Sequence, residues 1–196
     1  MSGPPVIVAY DPNWPVLAEH LLSELRAAVA GQDWVFDHIG STSVPGLAAK
    51  NIVDLQIRAE VLPEYAFLDE RFGPLGYRAA TGARPDSPGV HRDANRGSER
   101  VLSEVLVKRL YWRDGTPPVI LHIRRLDSPF GRYTVWFRDW LRALPAERDR
   151  YAAVKHELAA VHADDADYDD YTRAKTAYLD DVQAAFEKWG RRAQKR

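Results

Sequence analysis

The N-terminal part of the chain alternates between a helical pattern and short apolar runs. From Trp14 to Val29, apolar residues recur every three or four positions, which predicts a helix that ends near Gly31. Residues 35–39 and 51–58 predict strands, and the second run is mostly apolar and therefore central in a sheet. The other segments predict a strand or extended lead-in at 6–10, a short helix at 63–72, and a β-hairpin of 104–112 with 118–126 around "RDGTPP".

Beyond Pro129 the apolar period becomes that of amphipathic helices. Three apolar stripes follow one another, over residues 133–144, 151–161 and 171–189. Strands mixed with helices, followed by helices alone, predict an α+β fold. We expect one domain over 1–196, with an α/β core at 1–128 and C-terminal helices at 129–196.

One segment has neither period. Residues 81–100, "TGARPDSPGVHRDANRGSER", are rich in Gly, Pro, Ser, Arg and Asp and predict a long exposed loop. Poor order and a functional role, such as a lid over a site, are the two interpretations that the sequence leaves open.

Composition and charge exclude several classes of function. The net charge of −1 disfavours a general nucleic-acid binder, and the lack of cysteine excludes disulfides, thiolate catalysis and Cys-type zinc sites. The first residues contain no signal peptide, and no apolar run is long enough to span a bilayer. We therefore expect a cytoplasmic protein without a membrane partner, whose oligomeric state the sequence does not specify.

The candidate chemistry begins where the strand at 35–39 ends in a Gly-Ser-Thr corner. Gly40 permits a close backbone approach, Ser41 and Thr42 offer hydroxyl groups, and Lys50 adds a positive charge, so phosphate is a suitable ligand. The alternative is an ordinary turn with a Ser or Thr helix cap.

The strand that follows carries an acid among apolar residues. Ile52, Asp54 and Gln56 share one face because strand side chains alternate. A carboxylate in such a strand is costly unless it is paired, hydrogen-bonded or bound to a cation. Asp54 is therefore either a magnesium ligand or one half of a salt bridge.

These motifs together resemble a known family. The Gly40-Ser41 pair, a spacer and "DLQI" from Asp54 are similar to the signature of polymerase-β-type nucleotidyltransferases. More narrowly, the chain resembles the GrpB family, which also occurs fused to dephospho-coenzyme A kinases. The resemblance runs from Tyr10 to Leu179 and rests on "YDPNWP", "HIGSTSVPGLAAKNIVDLQI", "LHI", "FRDWLRALP", "YAAVKHELA" and "AKTAYL".

The resemblance implies a nucleotidyltransferase-like mixed β-sheet with flanking helices. It implies that the Gly40-Ser41 corner lies over the phosphates of a nucleotide and that Asp54 holds Mg²⁺. Two-metal chemistry requires further carboxylates. The second ligand position here is Gln56, whose neutral amide oxygen is a much weaker metal ligand, and the strand at 118–126 contains no acid. His122 in that strand is a candidate general base or an ordinary hydrogen-bonded histidine.

Basic residues complete the predicted site. Arg109 is a candidate for a phosphate contact or for pairing with Asp54, while Lys155 and Lys175 either point into a cleft or lie along the helix surface. Two functions follow: Mg²⁺-dependent transfer of a nucleotidyl group to a small acceptor, or binding of a nucleotide or another phosphorylated small molecule without transfer. A purely structural domain is a third. An acid near Asp54 favours the enzyme, and a lysine or arginine paired with it opposes the enzyme.

Overall fold

The apolar runs of the sequence form a five-stranded sheet in the computed structural model, which describes residues 3–82, 84–87, 89–96 and 99–194. The strands are β1 (Ile7–Val8), β2 (Val35–Ile39), β3 (Ala49–Lys50), β4 (Val53–Ala59), β5 (Tyr77–Ala79), β6 (Arg109–Arg113) and β7 (Val119–Arg125). The helices are α1 (Asn13–Ala28), α2 (Tyr65–Phe72), α3 (Pro129–Ala143), α4 (Pro145–Val161) and α5 (Asp169–Ala193). Short 3₁₀ helices occupy Ser41–Ser43, Gly73–Leu75 and Ser103–Leu106.

The sheet is mixed, with strand order β2-β4-β7-β6-β5. Strands β4 and β7 pair in parallel at its centre, and the other neighbours are antiparallel. β1 and β3 form a separate two-stranded ribbon. The predicted α+β class, the central position of the strand predicted at 51–58 and the β6–β7 hairpin are all confirmed.

The two faces of the sheet differ in chemistry. Val53, Leu55 and Ile57 of β4, with the matching apolar residues of β7, face α1 and α2 and are fully or almost fully buried. The opposite face is polar and carries Asp54, Gln56, Arg58, His122 and Arg124. Burial of so many polar groups requires partners. Asp37 of β2 pairs with Arg58, Asp93 of the 81–100 segment pairs with Arg124, and the first turns of α3 bind Gln56.

The C-terminal helices have a core of their own. Their aromatic side chains pack together with residues from the segment after the Gly-Ser-Thr corner, in a cluster that contains Val44, Leu47, Tyr133, Trp136, Trp140, Leu141, Tyr151, Tyr178, Val182 and Phe186. The corner is therefore fixed between the sheet and the helices. Within the described ranges, no helix combines the length and the apolar character needed to cross a bilayer.

The segment predicted as a long exposed loop is irregular in backbone structure but is not exposed throughout. Its described residues form no regular element between β5 and the 3₁₀ helix at Ser103–Leu106, yet Arg92 forms an isolated bridge with Val107, and Asp93 is 5% exposed. The hairpin strand begins later than predicted, at Arg109, because residues 103–106 turn as a 3₁₀ helix. Positions 83, 88, 97 and 98 of the segment lie outside the described residues.

Candidate functional site

The Gly-Ser-Thr corner brings the backbone against the carboxylate of Asp54. Gly40 has φ 71° and ψ −174°, a conformation that is essentially restricted to glycine. A Cβ atom at this position would lie 2.4 Å from Oδ2 of Asp54. The glycine therefore permits the close approach that the sequence suggested, and the group that approaches its backbone is the side chain of Asp54 in β4.

The hydroxyl groups of the corner have different surroundings. Oγ of Ser43 donates to the carbonyl of Gly40 at 2.5 Å, and Oγ1 of Thr42 lies 3.0 Å from Nε2 of His38. Thr42 is 1% exposed and lines neither of the two cavities described below, whereas Ser41 lines both. Of the three, Ser41 is the hydroxyl available to a ligand.

Asp54 lies at the bottom of the cleft. Its side chain is 29% exposed, and Nε2 of His122 lies 3.6 Å from its Oδ1. In the described part of the chain, no lysine or arginine nitrogen lies within 4 Å of the carboxylate. Burial raises the pKa of Asp54, while the charges of Lys50 and Lys175 act in the opposite direction. The carboxylate thus lies in a positively charged environment.

His122 is held as a neutral ring. Its Nδ1 atom lies 3.2 Å from Nζ of Lys108 and 3.4 Å from a guanidinium nitrogen of Arg124, so Nδ1 accepts and Nε2 carries the hydrogen. Burial and the charges of Lys108 and Arg124 keep its pKa well below the ordinary value. The ring therefore presents an N–H donor to Asp54, and the role of general base predicted for His122 would require the other tautomer.

A buried ion-pair network lies behind the histidine. Asp93 contacts Nε of Arg124 at 2.7 Å and Nζ of Lys108 at 3.0 Å, and all three side chains are at most 3% exposed. Burial raises the pKa of Asp93, but the charges of Arg124 and Lys108 lower it overall. Sequence reasoning missed Asp93, since it comes from an irregular, polar segment in which no pattern distinguishes a buried acid.

Gln56 lies on the same face of the sheet as Asp54 but lines neither cavity. Its Oε1 accepts from Arg124 at 2.8 Å and from the hydroxyl of Thr134 at 3.0 Å, and its Nε2 donates to the carbonyl of Gly131 at 3.0 Å. The glutamine joins the sheet to the first turns of α3. Its oxygen is fully engaged and is not presented to a metal ion next to Asp54.

The surroundings of Asp54 do not fit the magnesium site that the resemblance implies. Mg²⁺ prefers carboxylates and water, and two-metal sites need several acids. In the ranges that the structure describes, no group of three or more His, Cys, Asp or Glu side chains is placed to hold a metal. The charges that act on Asp54 come from Lys50, Lys175, Arg124 and Lys108, which repel a cation.

Three predicted lysines do meet, at a cavity of about 260 Å³ beside Asp54. We call this the lysine cavity; Lys50, Lys155 and Lys175 line it, together with Ser41, His122 and the rings of Tyr168 and Tyr171. Nζ of Lys50 lies 3.4 Å from the ring centre of Tyr168, and Lys155 donates to the carbonyl of Ala48.

The three lysines outnumber the acids of the cavity, since only Asp54 and Asp169 among its described lining residues carry a carboxylate. Burial and the charge of Lys175 lower the pKa of both Lys50 and Lys155 to about 7. Burial likewise lowers the pKa of Lys175, and Asp54 only partly offsets this. Among the described residues, the ammonium groups of Lys50 and Lys175 have no hydrogen bond or ion pair, and each lies over an aromatic ring. An anion is the natural complement of this cavity.

A second cavity of about 250 Å³ adjoins the first, and Ser41, Asp54, His122 and Lys175 line both. We call it the aromatic cavity, because its walls come mainly from rings and aliphatic side chains of α3 and α5. Its polar lining includes Gln183 and three arginines. The apolar lining includes Phe130, Tyr133, Phe137, Tyr151 and Phe186.

Arg109 is a predicted site residue that the structure places on the other face of the sheet. It pairs with Ile123 across the β6–β7 ladder and so lies on the face opposite His122. Its guanidinium donates to the carbonyl of Pro63 and lies 4.6 Å from the ring centre of Tyr65. The structure thus brings together Gly40, Ser41, Lys50, Asp54, His122, Lys155 and Lys175, and leaves out Arg109, Gln56 and Thr42.

Comparisons with known proteins agree with this architecture. The crystal structure of conserved protein GrpB from Enterococcus faecalis matches with a TM-score of 0.71 and 26% identity, over 94% of this chain and 99% of that one. The glutamate-rich protein GrpB of Alkalihalophilus pseudofirmus is 25% identical over 182 residues, which are 92% of this chain and 95% of that protein.

A second group of relatives is longer. A dephospho-CoA kinase of Mycolicibacterium paratuberculosis is 32% identical over 192 residues, which cover 92% of this chain and 45% of the kinase. The chain thus spans about half the length of the curated kinases that it matches. The family model described as GrpB protein matches residues 4–185, which include the whole sheet, α3, α4 and most of α5. On this evidence the chain belongs to the GrpB family.

Proposed function

We propose that this protein binds a phosphorylated small molecule, and that the phosphate lies in the lysine cavity next to Ser41. The observation that carries the proposal is the convergence of Lys50, Lys155 and Lys175 on one cavity whose described lining contains only two acids, Asp54 and Asp169. A phosphate dianion would supply those charges and accept hydrogen bonds from the ammonium groups and the Ser41 hydroxyl.

Transfer of a nucleotidyl group is the competing function, and the family resemblance is its support. It would need a cluster of acids around Asp54, whereas lysines act on Asp54 and the oxygen of Gln56 is engaged by Arg124. Binding without transfer is therefore the function that the geometry supports better. The activity of the longer kinases belongs to proteins of which this chain matches less than half.

Titration calorimetry with ATP, in EDTA and in excess Mg²⁺, separates the two functions. A metal-free anion site should bind ATP in EDTA, and Asp54→Asn should preserve or strengthen binding because it removes a negative charge from the cavity. Lys175→Met should weaken binding about 10-fold or more, since a hydrogen bond to a charged group contributes about 1.5–3 kcal/mol.

The matched control is Lys188→Met, which removes an exposed lysine of the same helix and should leave affinity unchanged. Binding that requires Mg²⁺ and is abolished by Asp54→Asn would favour the transferase. Absence of ATP and pyrophosphate binding under both conditions would refute the phosphate site itself.

Proton exchange gives an independent check. Lysines with a pKa of about 7 are largely neutral at pH 8, and a bound phosphate would favour their charged form. Binding at pH 8 should therefore take up protons, which calorimetry in buffers of different ionisation enthalpy measures directly. Equal heats in all buffers would contradict the proposed role of the lysines.

A further inference from the structure

The aromatic cavity contains buried polar atoms that the protein leaves without partners. Gln183 on α5 is 7% exposed, and neither Oε1 nor Nε2 of its amide has a hydrogen-bond partner among the described residues. The hydroxyl of Tyr133 and Nε of Arg96 are also unpartnered, and all three residues line this cavity. A buried polar group without a partner is costly and uncommon in native proteins, so such a cluster calls for an explanation.

The amide of Gln183 defines what would complement it. Its Nε2 atom is a donor and its Oε1 atom is an acceptor, so together they match a ligand that presents an acceptor next to a donor. A glutamine amide makes this bidentate contact with a nucleobase. Flexible polar ligands can also offer such pairs, so the shape of the surrounding wall has to decide between them.

The wall is made of flat rings that the protein holds in place. The ring of Phe137 lies 5.2 Å from that of Tyr151 and 5.3 Å from that of Phe186, and the ring of Tyr133 lies 6.3 Å from Phe186. Rings fixed by mutual packing provide apolar surfaces for a planar group, on which heteroaromatic bases stack without sequence preference.

The position of the cavity relates it to the phosphate site. Ser41, Asp54, His122 and Lys175 line both cavities, so one molecule can extend from the lysines to Gln183. We propose that the ligand is a nucleotide whose base enters the aromatic cavity and whose hydrogen-bonding edge is recognised by Gln183. This inference rests on the proposed phosphate-binding function and adds the chemical class of the ligand and its specificity-determining residue.

The test compares ligands with and without a base. Calorimetry is carried out with the four common 5′-nucleoside monophosphates, ribose 5-phosphate, the corresponding nucleosides and 4′-phosphopantetheine, a flexible diamide. For wild type, at least one nucleotide should bind about 10-fold or more tightly than ribose 5-phosphate, the discrimination expected of one bidentate amide contact.

Gln183→Leu keeps the size of the side chain and removes both hydrogen-bonding atoms. It should abolish most of the advantage of the nucleotide and leave ribose 5-phosphate affinity unchanged. Gln194→Leu, an exposed change near the end of the same helix, is the matched control and should alter neither affinity. Urea unfolding of the free proteins should show Gln183→Leu to be at least as stable as wild type, because the buried amide lacks partners.

The outcomes separate this inference from the function on which it rests. Equal affinity of wild type for ribose 5-phosphate and every nucleotide overturns the base site and leaves the phosphate site intact. Nucleoside binding that depends on Gln183, without any contribution from phosphate, supports the base site and overturns the phosphate site. Gln183-dependent binding of phosphopantetheine in preference to all nucleotides overturns the planar ligand. A Gln183→Leu protein that is markedly less stable than wild type overturns the premise that the amide of Gln183 has no partners, and the base site with it.

Discussion

Substitution of Gly40 by alanine tests the close approach at the corner of the site. The new methyl group would lie 2.4 Å from Oδ2 and 2.9 Å from Cβ of Asp54, distances well inside van der Waals contact. The backbone at φ 71° and ψ −174° is also one that alanine scarcely adopts. Two separate penalties, backbone strain and overpacking, therefore act on one residue.

The two penalties have known orders of magnitude. Strain in this region costs about 1–3 kcal/mol, and overpacking of a well-packed position costs about 1–3 kcal/mol. We expect Gly40→Ala to lower the free energy of unfolding by about 4 kcal/mol, the sum of the two midpoints. Gly31→Ala is the matched control, since Gly31 has φ 89° and nothing within 4 Å of the added Cβ atom. It should lose about 1–2 kcal/mol, from its left-handed backbone alone.

Urea unfolding at pH 7, followed by circular dichroism, measures both losses, provided that the slope with denaturant stays constant. The double variant with Asp54→Gly removes the three nearest atoms that the new methyl group would meet, so most of the overpacking part should vanish. The coupling in the double-mutant cycle is expected to be about 1–3 kcal/mol. Equal losses for Gly40→Ala and Gly31→Ala, or strictly additive effects in the cycle, would refute the reasoning.

Two further predictions concern the buried charges. Asp93→Asn should destabilise the protein by about 3–5 kcal/mol in urea unfolding, because it leaves Arg124 and Lys108 charged and buried. The control Asp114→Asn changes a side chain that is 67% exposed and should cost less than about 1 kcal/mol. Similar losses for the two variants would contradict the structural role of the network. Lys155 has its pKa lowered by burial to about 7, so the unfolded chain binds more protons from pH ~7 to pH ~10 and stability should rise with pH over that range. Urea midpoints measured from pH 7 to pH 9 follow this rise in stability, and Lys155→Met should make the rise smaller. The same pH profile for wild type and variant would show that burial does not lower the pKa of Lys155.

The sequence predicted the framework of the site because its elements follow strong periods. The apolar run of β4, the alternation that sets Asp54 and Gln56 on one face, and the stripes of the C-terminal helices are all local patterns. The different fates of Asp54 and Gln56 are not local. They depend on where α3 crosses the sheet, since Gly131 and Thr134 bind the glutamine and leave the aspartate open.

Arg109 and Asp93 show two other limits of sequence reasoning. The face on which Arg109 lies depends on the register of the hairpin, and a shift of one residue would have moved it to the side of His122. Asp93 lies in a segment without periodicity. Its burial depends on ion pairs with Arg124 of β7 and with Lys108, which directly precedes β6. Lys155 and Lys175 lay near apolar stripes, and only tertiary packing could place both on one cavity.

The corner after β2 has consequences for the order in which the chain acquires its structure. Carbonyl groups of His38, Ser43 and Ala48 accept hydrogen bonds from Arg138, Arg142 and Lys155, partners that lie 99 to 107 residues further along the chain. A growing polypeptide exposes these carbonyls long before their partners have been synthesised, and contacts so distant in sequence form slowly. The corner is thus completed only after α3 and α4, which follow it by about a hundred residues, have been synthesised.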